Sequence, residues 1–257
     1  MSIIKGGAAG FNSVVFYSEN FSSRAIRKSD GAISIEIIKR KIASKYERFI
    51  KRIPLIRGLF LFIQPIVTFW KVYLITCFLL IFVLLLSRWT SNDLVDNSSF
   101  STITNSLYIA QKHFLQALAI IIVIFAVVIK LSNLGKYHAA EHMTDSSFES
   151  LKSLSISNIA KQSRIHNNCG TNLVVFLFVI YSILSLFISD FFVLIMLTIC
   201  LAYEVFLLES TLLVPFYWIG GISQYLLFTS KPSKEHLEVA TAAYKALVIE
   251  ERNKRNG

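Results

Sequence analysis

The sequence predicts an all-α polytopic membrane protein with about four transmembrane helices, additional interfacial helices and a small N-terminal cytosolic β element. Of the 257 residues, 54% are hydrophobic and only 16% are charged, whereas a soluble domain carries about 25% charged residues. The apolar residues gather in a few long stretches separated by polar segments. The net charge of +10 in so apolar a chain is typical of membrane topology signals rather than of nucleic-acid binding.

Residues 1–41 are predicted to form a small cytosolic β-hairpin element. The first residues lead into glycines and polar side chains, without the apolar core of a signal peptide. Ser13–Ser18 reads SVVFYS, a run of β-branched and aromatic residues. The pair Asp30-Gly31 suits a turn that requires positive φ, and apolar residues flank it on both sides.

Residues 42–69 are predicted to form a basic amphipathic segment at the membrane interface. Lys51, Arg52 and Arg57 alternate there with apolar residues, and Pro54 and Pro65 are expected to break a continuous helix. We therefore expect short amphipathic pieces in the headgroup region with their cations facing lipid phosphates. Membrane lipid is an expected partner and nucleic acid is not.

Residues 70–228 are predicted to form the transmembrane helical domain. Four apolar stretches stand out, at 68–87, 114–131, 173–188 and 191–208. Since about 20 residues cross the hydrocarbon core, the last two are slightly short and are expected to form a tight helical hairpin with Asp190 at its tip. A fifth stretch, 212–227, contains one proline and two glycines and is predicted to be re-entrant or interfacial.

The distribution of cations predicts the orientation in the cell membrane. Residues 1–66 contain 12 Lys and Arg, the loop 132–172 contains four, and residues from 231 onward contain six. Only Arg88 and Lys112 lie between the first two predicted spans. The positive-inside rule then places both termini and the loop 132–172 in the cytosol.

Residues 229–257 are predicted to form a cytosolic amphipathic tail helix on the protein surface. Apolar side chains recur there at helical spacing, namely Leu237, Ala240, Tyr244, Leu247 and Val248.

The loop 132–172 contains the segment with recognisable chemistry, an H-x-x-E-H motif formed by His138, Glu141 and His142. On a helix, residues four apart share one face, so both imidazoles can bind one cation at about 2.0–2.1 Å. Glu141 is the predicted catalytic residue, positioned to take a proton from a metal-bound water, as in the inverted zincin motif. Asp145 and Glu149 continue the same helical stripe and are expected to orient the imidazoles.

A catalytic zinc site requires a third protein ligand and one open position. Three candidates exist. His166 and Cys169 lie on the same predicted cytosolic side, and Glu204 lies inside the fourth apolar stretch, where an ionisable group is costly and usually functional. The expected cofactor is Zn²⁺, because it is the usual metal of such a histidine pair.

Several segments together resemble the YqhQ-like membrane proteins, a family of unassigned function described as metal-dependent enzymes. The matching residues, over most of the chain, are Gly6-Gly7, Ala25-Ile26-Arg27-Lys28-Ser29-Asp30-Gly31, Pro54-Leu55-Ile56-Arg57-Gly58, Tyr137-His138-Ala139-Ala140-Glu141-His142, His166, Cys169-Gly170-Thr171, Tyr203-Glu204, Gln224 and Glu238-Val239-Ala240-Thr241-Ala242-Ala243. The resemblance implies a metal site at the positions that carry the motif. The chain departs from the family at Ala8 and Asn12, where a Gln and an acidic residue are usual.

These features predict a membrane-embedded, zinc-dependent metallopeptidase-like protein that cleaves a peptide or a membrane protein near the cytosolic face. The alternative is a non-enzymatic membrane assembly, chaperone or transport accessory factor with a structural metal site. A small-molecule transporter ranks third, since only Glu204 and Asp190 are ionisable within or between the last spans. The sequence carries no signal for a particular oligomeric state.

Overall fold

The computed structural model describes residues 4–41, 44–90, 98–208 and 210–256. The chain divides into two compact units. The sheet unit comprises Met1–Ser44, Ile120–Val175 and Glu209–Gly257, and the helical unit comprises Lys45–Ala119 and Phe176–Leu208. Most of the chain is helical and its N-terminal part forms a small antiparallel sheet, which confirms those two features of the predicted fold class.

The sheet is a four-stranded antiparallel meander in the order β1 (Gly6–Ala9), β2 (Ser13–Tyr17), β3 (Phe21–Arg27) and β4 (Ile33–Lys39). The predicted turn joins β3 to β4, and its Gly31 has a φ of 85°. The sequence indicated fewer strands, because β1 consists of glycine and alanine, which have low strand propensity. β1 forms by pairing with β2, in a register that places Gly7 opposite Phe16.

The core of the sheet unit lies between the sheet and two helices, α5 (Asn133–Leu151) and α10 (Lys234–Asn256). The short helix α6 (Ile156–Ile159) packs beside α5 and α10. Phe16 and Tyr244 meet edge to face with ring centroids 4.8 Å apart. These contacts bring the two ends of the chain into one hydrophobic core.

The predicted amphipathic tail helix is therefore present as α10, and its apolar face packs against the sheet and α5. All five apolar positions named for it are buried. Near its end the buried carboxylate of Glu251 accepts hydrogen bonds from the Ser18 hydroxyl and from the backbone and side-chain N–H groups of Asn20. Periodicity identified the apolar face, but not the sheet that covers it.

Two helices of the described chain are long and apolar enough to cross a membrane. One is His113–Leu131, the second half of α4 (Ser98–Leu131). The other is Thr211–Phe228, in which a 3₁₀ turn (Thr211–Leu213), α9 (Val214–Ser223) and a π-helical turn (Gln224–Phe228) follow one another directly. The fifth apolar stretch, predicted to be re-entrant or interfacial, thus has the length of a span.

The helical unit contains α1 (Lys45–Ile50), α2 (Ile56–Thr68), α3 (Trp70–Thr90) and α8 (Phe191–Leu207), together with most of α4 and of α7 (Gly170–Leu184). The expectation that Pro65 breaks the helix is wrong, because Pro65 lies inside α2. The chain bends by 71° between α2 and α3, and these helices have the length and hydropathy of a span only when the pair is counted as one. The described chain therefore has two to three candidate spans, compared with about four predicted.

The two helices predicted to form the hairpin, α7 and α8, have 15 and 17 residues. At helical rise these are about 23 and 26 Å long, shorter than a hydrocarbon core of about 30 Å. Asp190 lies between them, and its side chain caps α8 by accepting a hydrogen bond from Val193 N–H at 2.9 Å. Residues 91–97 of the predicted external loop, and residues 42 and 43 of the predicted interfacial segment, lie outside the described residues.

Candidate metal centre

Helix α5 presents the two histidines of the motif side by side. It begins after the N-cap Ser132, whose hydroxyl accepts a hydrogen bond from Leu134 N–H. Because four residues make about one helical turn, the rings of His138 and His142 lie next to each other, with centroids 4.4 Å apart. The two rings therefore lie side by side on one face of α5, as their spacing in the sequence predicts.

Each of these imidazoles is held by a main-chain carbonyl. His138 Nδ1 lies 3.0 Å from the carbonyl oxygen of Phe228, and His142 Nδ1 lies 2.8 Å from that of Arg164. A carbonyl oxygen only accepts, so each Nδ1 carries a hydrogen, and in the neutral imidazole each Nε2 has the lone pair that can bind a cation. The predicted orienting residues, Asp145 and Glu149, do not perform this task.

Cys169, which directly precedes α7, completes the three-ligand group, a set of three side chains that could hold a metal ion. Its buried sulfur lies 3.6 Å from His138 Nε2, and ligand atoms of His138, His142 and Cys169 all lie within 4.8 Å of one another. Ligand atoms around a tetrahedral zinc ion are about 3.3–3.8 Å apart. Burial alone would raise the pKa of the Cys169 thiol, but His142 and Thr171 hold that pKa below its ordinary value, which favours the thiolate.

Glu141 lies beside this group in a nearly closed environment. Its Oε2 is 3.5 Å from His142 Nε2, and only 7% of the residue is exposed. The backbone of Gly7 in β1 packs directly against its side chain, so closely that a Cβ at Gly7 would overlap it. Burial raises the pKa of the Glu141 carboxyl to about 7, with the neighbouring Asp145 acting in the same direction and His138 against it.

His166 belongs to a second group, with Asp145 and Glu149. Its Nε2 lies 3.6 Å from Asp145 Oδ2 and 3.9 Å from Glu149 Oε2, while its Nδ1 accepts a hydrogen bond from Asn168 N–H at 3.3 Å. This tautomer carries its hydrogen on Nε2, so it offers no lone pair there. Burial, together with His142, lowers the pKa of His166 to about 4. Asp145, whose pKa is raised to about 6 mainly by burial, also accepts a hydrogen bond from the Tyr244 hydroxyl at 3.1 Å.

Glu204, the third candidate ligand, lies in α8 of the helical unit. Its carboxylate pairs with the Arg57 guanidinium and accepts a hydrogen bond from Leu55 N–H at 2.8 Å. Glu204 is therefore paired with a cation, whereas the three-ligand group consists of His138, His142 and Cys169.

A cavity of about 190 Å³ opens onto the site. Its walls are β1, the inner face of α5 and the loop that carries His166 and Cys169. Both the three-ligand group and the carboxylate of Glu141 line it, so a small molecule or a short stretch of chain in this cavity reaches all four side chains.

Residues 63–250 match the family described as protein of unknown function, DUF1385. The chain belongs to the DUF1385 family. The matched part of this DUF1385 chain includes the H-x-x-E-H motif, Cys169 and most of α10, and it begins after the sheet. No curated protein and no solved structure matches the chain.

Three supporting features of the site in this DUF1385 protein escaped prediction from the residues. The carbonyls of Phe228 and Arg164 have no signature in sequence, since every residue has a carbonyl. Gln224 does have one, as a polar residue within an apolar stretch. It is fully buried, and its Oε1 accepts from His166 N–H at 2.9 Å while its Nε2 donates to the His166 carbonyl at 3.2 Å. The third feature is Gly7, whose missing side chain makes room for Glu141.

Proposed function

We propose that this DUF1385 protein is a membrane-embedded, zinc-dependent metallopeptidase-like enzyme that cleaves a peptide or membrane-protein substrate near the cytosolic membrane face. One observation carries the proposal: ligand atoms of two imidazoles and a buried cysteine lie within 4.8 Å of one another, next to a buried carboxylate in a cavity. The resemblance to the YqhQ-like proteins supports the metal site at these positions, although that family has no assigned reaction.

The donor set fits zinc. Two imidazoles and one thiolate are ligands that zinc prefers, and three protein ligands leave one tetrahedral position open. His138, His142 and Cys169 would hold the ion. When bound, zinc supplies Lewis-acid chemistry, since it polarises a substrate carbonyl and lowers the pKa of water.

Glu141 is the residue that we assign to proton transfer. Its Oε2 lies 3.5 Å from His142 Nε2, and therefore beside the position where a substrate carbonyl would approach the ligands. From this position the carboxylate accepts a proton from the attacking water and passes it to the leaving amine. Gly7 packs against the side chain and restricts its movement, so the acceptor oxygen stays at the site.

The edge strand β1 supports a peptide substrate. Among the described residues, β1 pairs with β2 alone, and Gly10 N–H donates to the Ser13 carbonyl at 2.8 Å. Antiparallel strands alternate between groups that face the partner and groups that face away, so Gly7 and Ala9 direct their backbone groups outward, where they line the cavity. An extended peptide can add to such an edge by main-chain hydrogen bonds.

The proposed setting is the cell membrane, crossed by four helices with both termini in the cytosol. His138 follows the end of the candidate span His113–Leu131 by seven residues, which is about 10 Å of helix. The excess of cations at the termini and in the loop 132–172 supports this orientation. The metal centre would then lie in the headgroup layer, within reach of membrane-protein substrates.

Metal analysis combined with one conservative variant tests the proposal. The purified full chain is analysed for zinc, and membrane extracts are incubated with wild type, Glu141→Gln or the surface control Glu36→Gln, followed by profiling of newly formed peptide N-termini. We expect Glu141→Gln to keep zinc but form no new N-termini, while Glu36→Gln behaves as wild type. Equal cleavage by Glu141→Gln and wild type would refute the peptidase.

The alternative, a non-enzymatic membrane factor with a structural metal, is favoured by one observation. Glu141 Oε2 lies as close as 3.5 Å to His142 Nε2, so the carboxylate itself could serve as a fourth ligand and close the shell. The same variant separates the two functions. Loss of zinc in Glu141→Gln would favour the structural role, because a general base is dispensable for metal binding.

A further inference from the structure

We infer that a second cavity of the sheet unit binds the phosphate of an anionic membrane-lipid headgroup. This cavity has a volume of about 510 Å³ and shares no lining residue with the cavity at the metal centre. Its walls come from the turn after β3, the first turn of α5 and the segment that leads into α10. Four cationic side chains line it: Arg27, Lys28, Lys136 and Lys231.

Three of these cations have no anionic partner among the described residues. Among the described residues, no carboxylate forms an ion pair with Lys28, Lys136 or Lys231. Arg27 is already paired, since its guanidinium lies 2.9 Å from the Glu238 carboxylate. The lining also includes the carboxylate of Glu235, so the lysines leave an excess of positive charge. Lysine ammonium groups are common phosphate ligands in proteins.

The cavity lies where two candidate spans end. Lys136 follows the end of His113–Leu131 by five residues, and Lys231 follows the end of Thr211–Phe228 by three. Hydrogen bonds join the two ends, because Lys130 Nζ donates to the Thr229 carbonyl at 2.7 Å and Ser230 N–H donates to the Gly135 carbonyl at 2.9 Å. The cavity therefore lies just past the end of His113–Leu131, which is the depth of lipid phosphates when this helix crosses the membrane.

Polar side chains at two helix starts accompany the lysines. Asn133 opens α5 and Ser233 directly precedes α10, and both side chains line the cavity. The Asn133 Oδ1 accepts a hydrogen bond from Lys136 Nζ at 3.4 Å, and the Ser233 hydroxyl lies 2.6 Å from His236 Nδ1. The positive ends of these two helix dipoles thus face the same space. Position decides between the sources of phosphate. Just past the end of a span, a lipid headgroup is held in place by its acyl chains, whereas a free phosphate must be captured from solution.

A titration of the full chain in a neutral detergent tests this inference, independently of any peptidase activity. The ligands are dioctanoyl phosphatidylglycerol, dioctanoyl phosphatidylcholine and sodium phosphate, and binding is measured by calorimetry. The variant is Lys136→Gln/Lys231→Gln. Its control is Lys161→Gln/Lys245→Gln, which removes the same charge from exposed positions outside the cavity. Lys28→Gln, in an exposed turn, serves as a second variant that leaves the helices untouched.

We expect wild type and the control to bind phosphatidylglycerol alike and more tightly than either other ligand. Lys136→Gln/Lys231→Gln should bind it about 30-fold more weakly and Lys28→Gln about fivefold more weakly. Equal affinity in the cavity variants and the control would overturn the inference. Equal binding of sodium phosphate and phosphatidylglycerol would overturn the assignment to a lipid, and equal binding of phosphatidylcholine would overturn the requirement for a net negative headgroup.

Discussion

Replacing Gly7 by alanine probes how precisely β1 holds Glu141. An added Cβ would lie 2.9 Å from both Cγ and Cδ of Glu141 and closer still to Oε1. Carbon atoms in contact prefer about 3.5–4.0 Å, so the carboxylate has to retreat by roughly 0.6–1.1 Å. Gly7 does not have a positive φ, so alanine causes no backbone strain and the effect is confined to this contact.

A displacement of about 1 Å at a reacting group costs about 100-fold in rate. We therefore expect Gly7→Ala to cleave about 100-fold more slowly than wild type on a substrate found by N-terminal profiling, while its zinc content stays the same. Gly170→Ala is the matched control, because a Cβ at Gly170 meets nothing within 4 Å. A Gly7→Ala protein that cleaves at the wild-type rate would refute the role assigned to the position of Glu141.

Three further predictions concern stability and are read from thermal or denaturant unfolding in detergent. The pKa of Glu251 is lowered because hydrogen bonds from Ser18 and Asn20 outweigh the effect of burial. The ionised carboxylate therefore stabilises the folded protein above about pH 4.3, and this stabilisation is lost as the pH falls through the folded-state pKa. Glu251→Gln should lower the free energy of unfolding by about 2 kcal/mol at pH 7, and this difference from wild type should vanish in acid. A difference that stays constant with pH would argue against stabilisation by the carboxylate. Leu247→Ala, at a fully buried position of α10, should cost about 2–5 kcal/mol, and a cost below 1 kcal/mol would argue that α10 is not part of the core. Arg57→Ala leaves the Glu204 carboxylate without its cation and should lower the free energy of unfolding by about 1–3 kcal/mol. The double variant with Glu204→Gln should recover part of this loss. Additive effects of the two substitutions would argue against the ion pair.

The sequence predicted the local geometry of two segments well, although it wrongly placed a helix break at Pro65. The H-x-x-E-H spacing is sufficient to place His138 and His142 together, because a helix determines which residues share a face. The turn at Asp30-Gly31 is likewise local, since it requires a positive φ that glycine adopts readily. Mean hydropathy and charge predicted the apolar helices, although not how many of them have the length of a span.

Features made by contact between distant segments could not be predicted in the same way. The backbone carbonyl of Phe228 orients His138 from 90 positions along the chain, and only the folded chain brings them together. The apolar face of α10 was visible as a pattern, but a pattern does not name the surface that covers it. Glu204 had the charge of a ligand in an apolar stretch, yet a pairing cation at Arg57 explains that charge equally well.

The ligand assignment is tested most directly by the zinc content of two cysteine variants. Cys169→Ser removes the sulfur of the three-ligand group, whereas Cys200→Ser removes a sulfur from α8 in the helical unit. The purified full chain and the Cys200→Ser variant should each hold one zinc ion, and Cys169→Ser should lose most of it, as should His138→Ala/His142→Ala. Wild-type protein without zinc, or a Cys169→Ser variant that keeps it as firmly as Cys200→Ser, would contradict a centre built from two histidines and this cysteine.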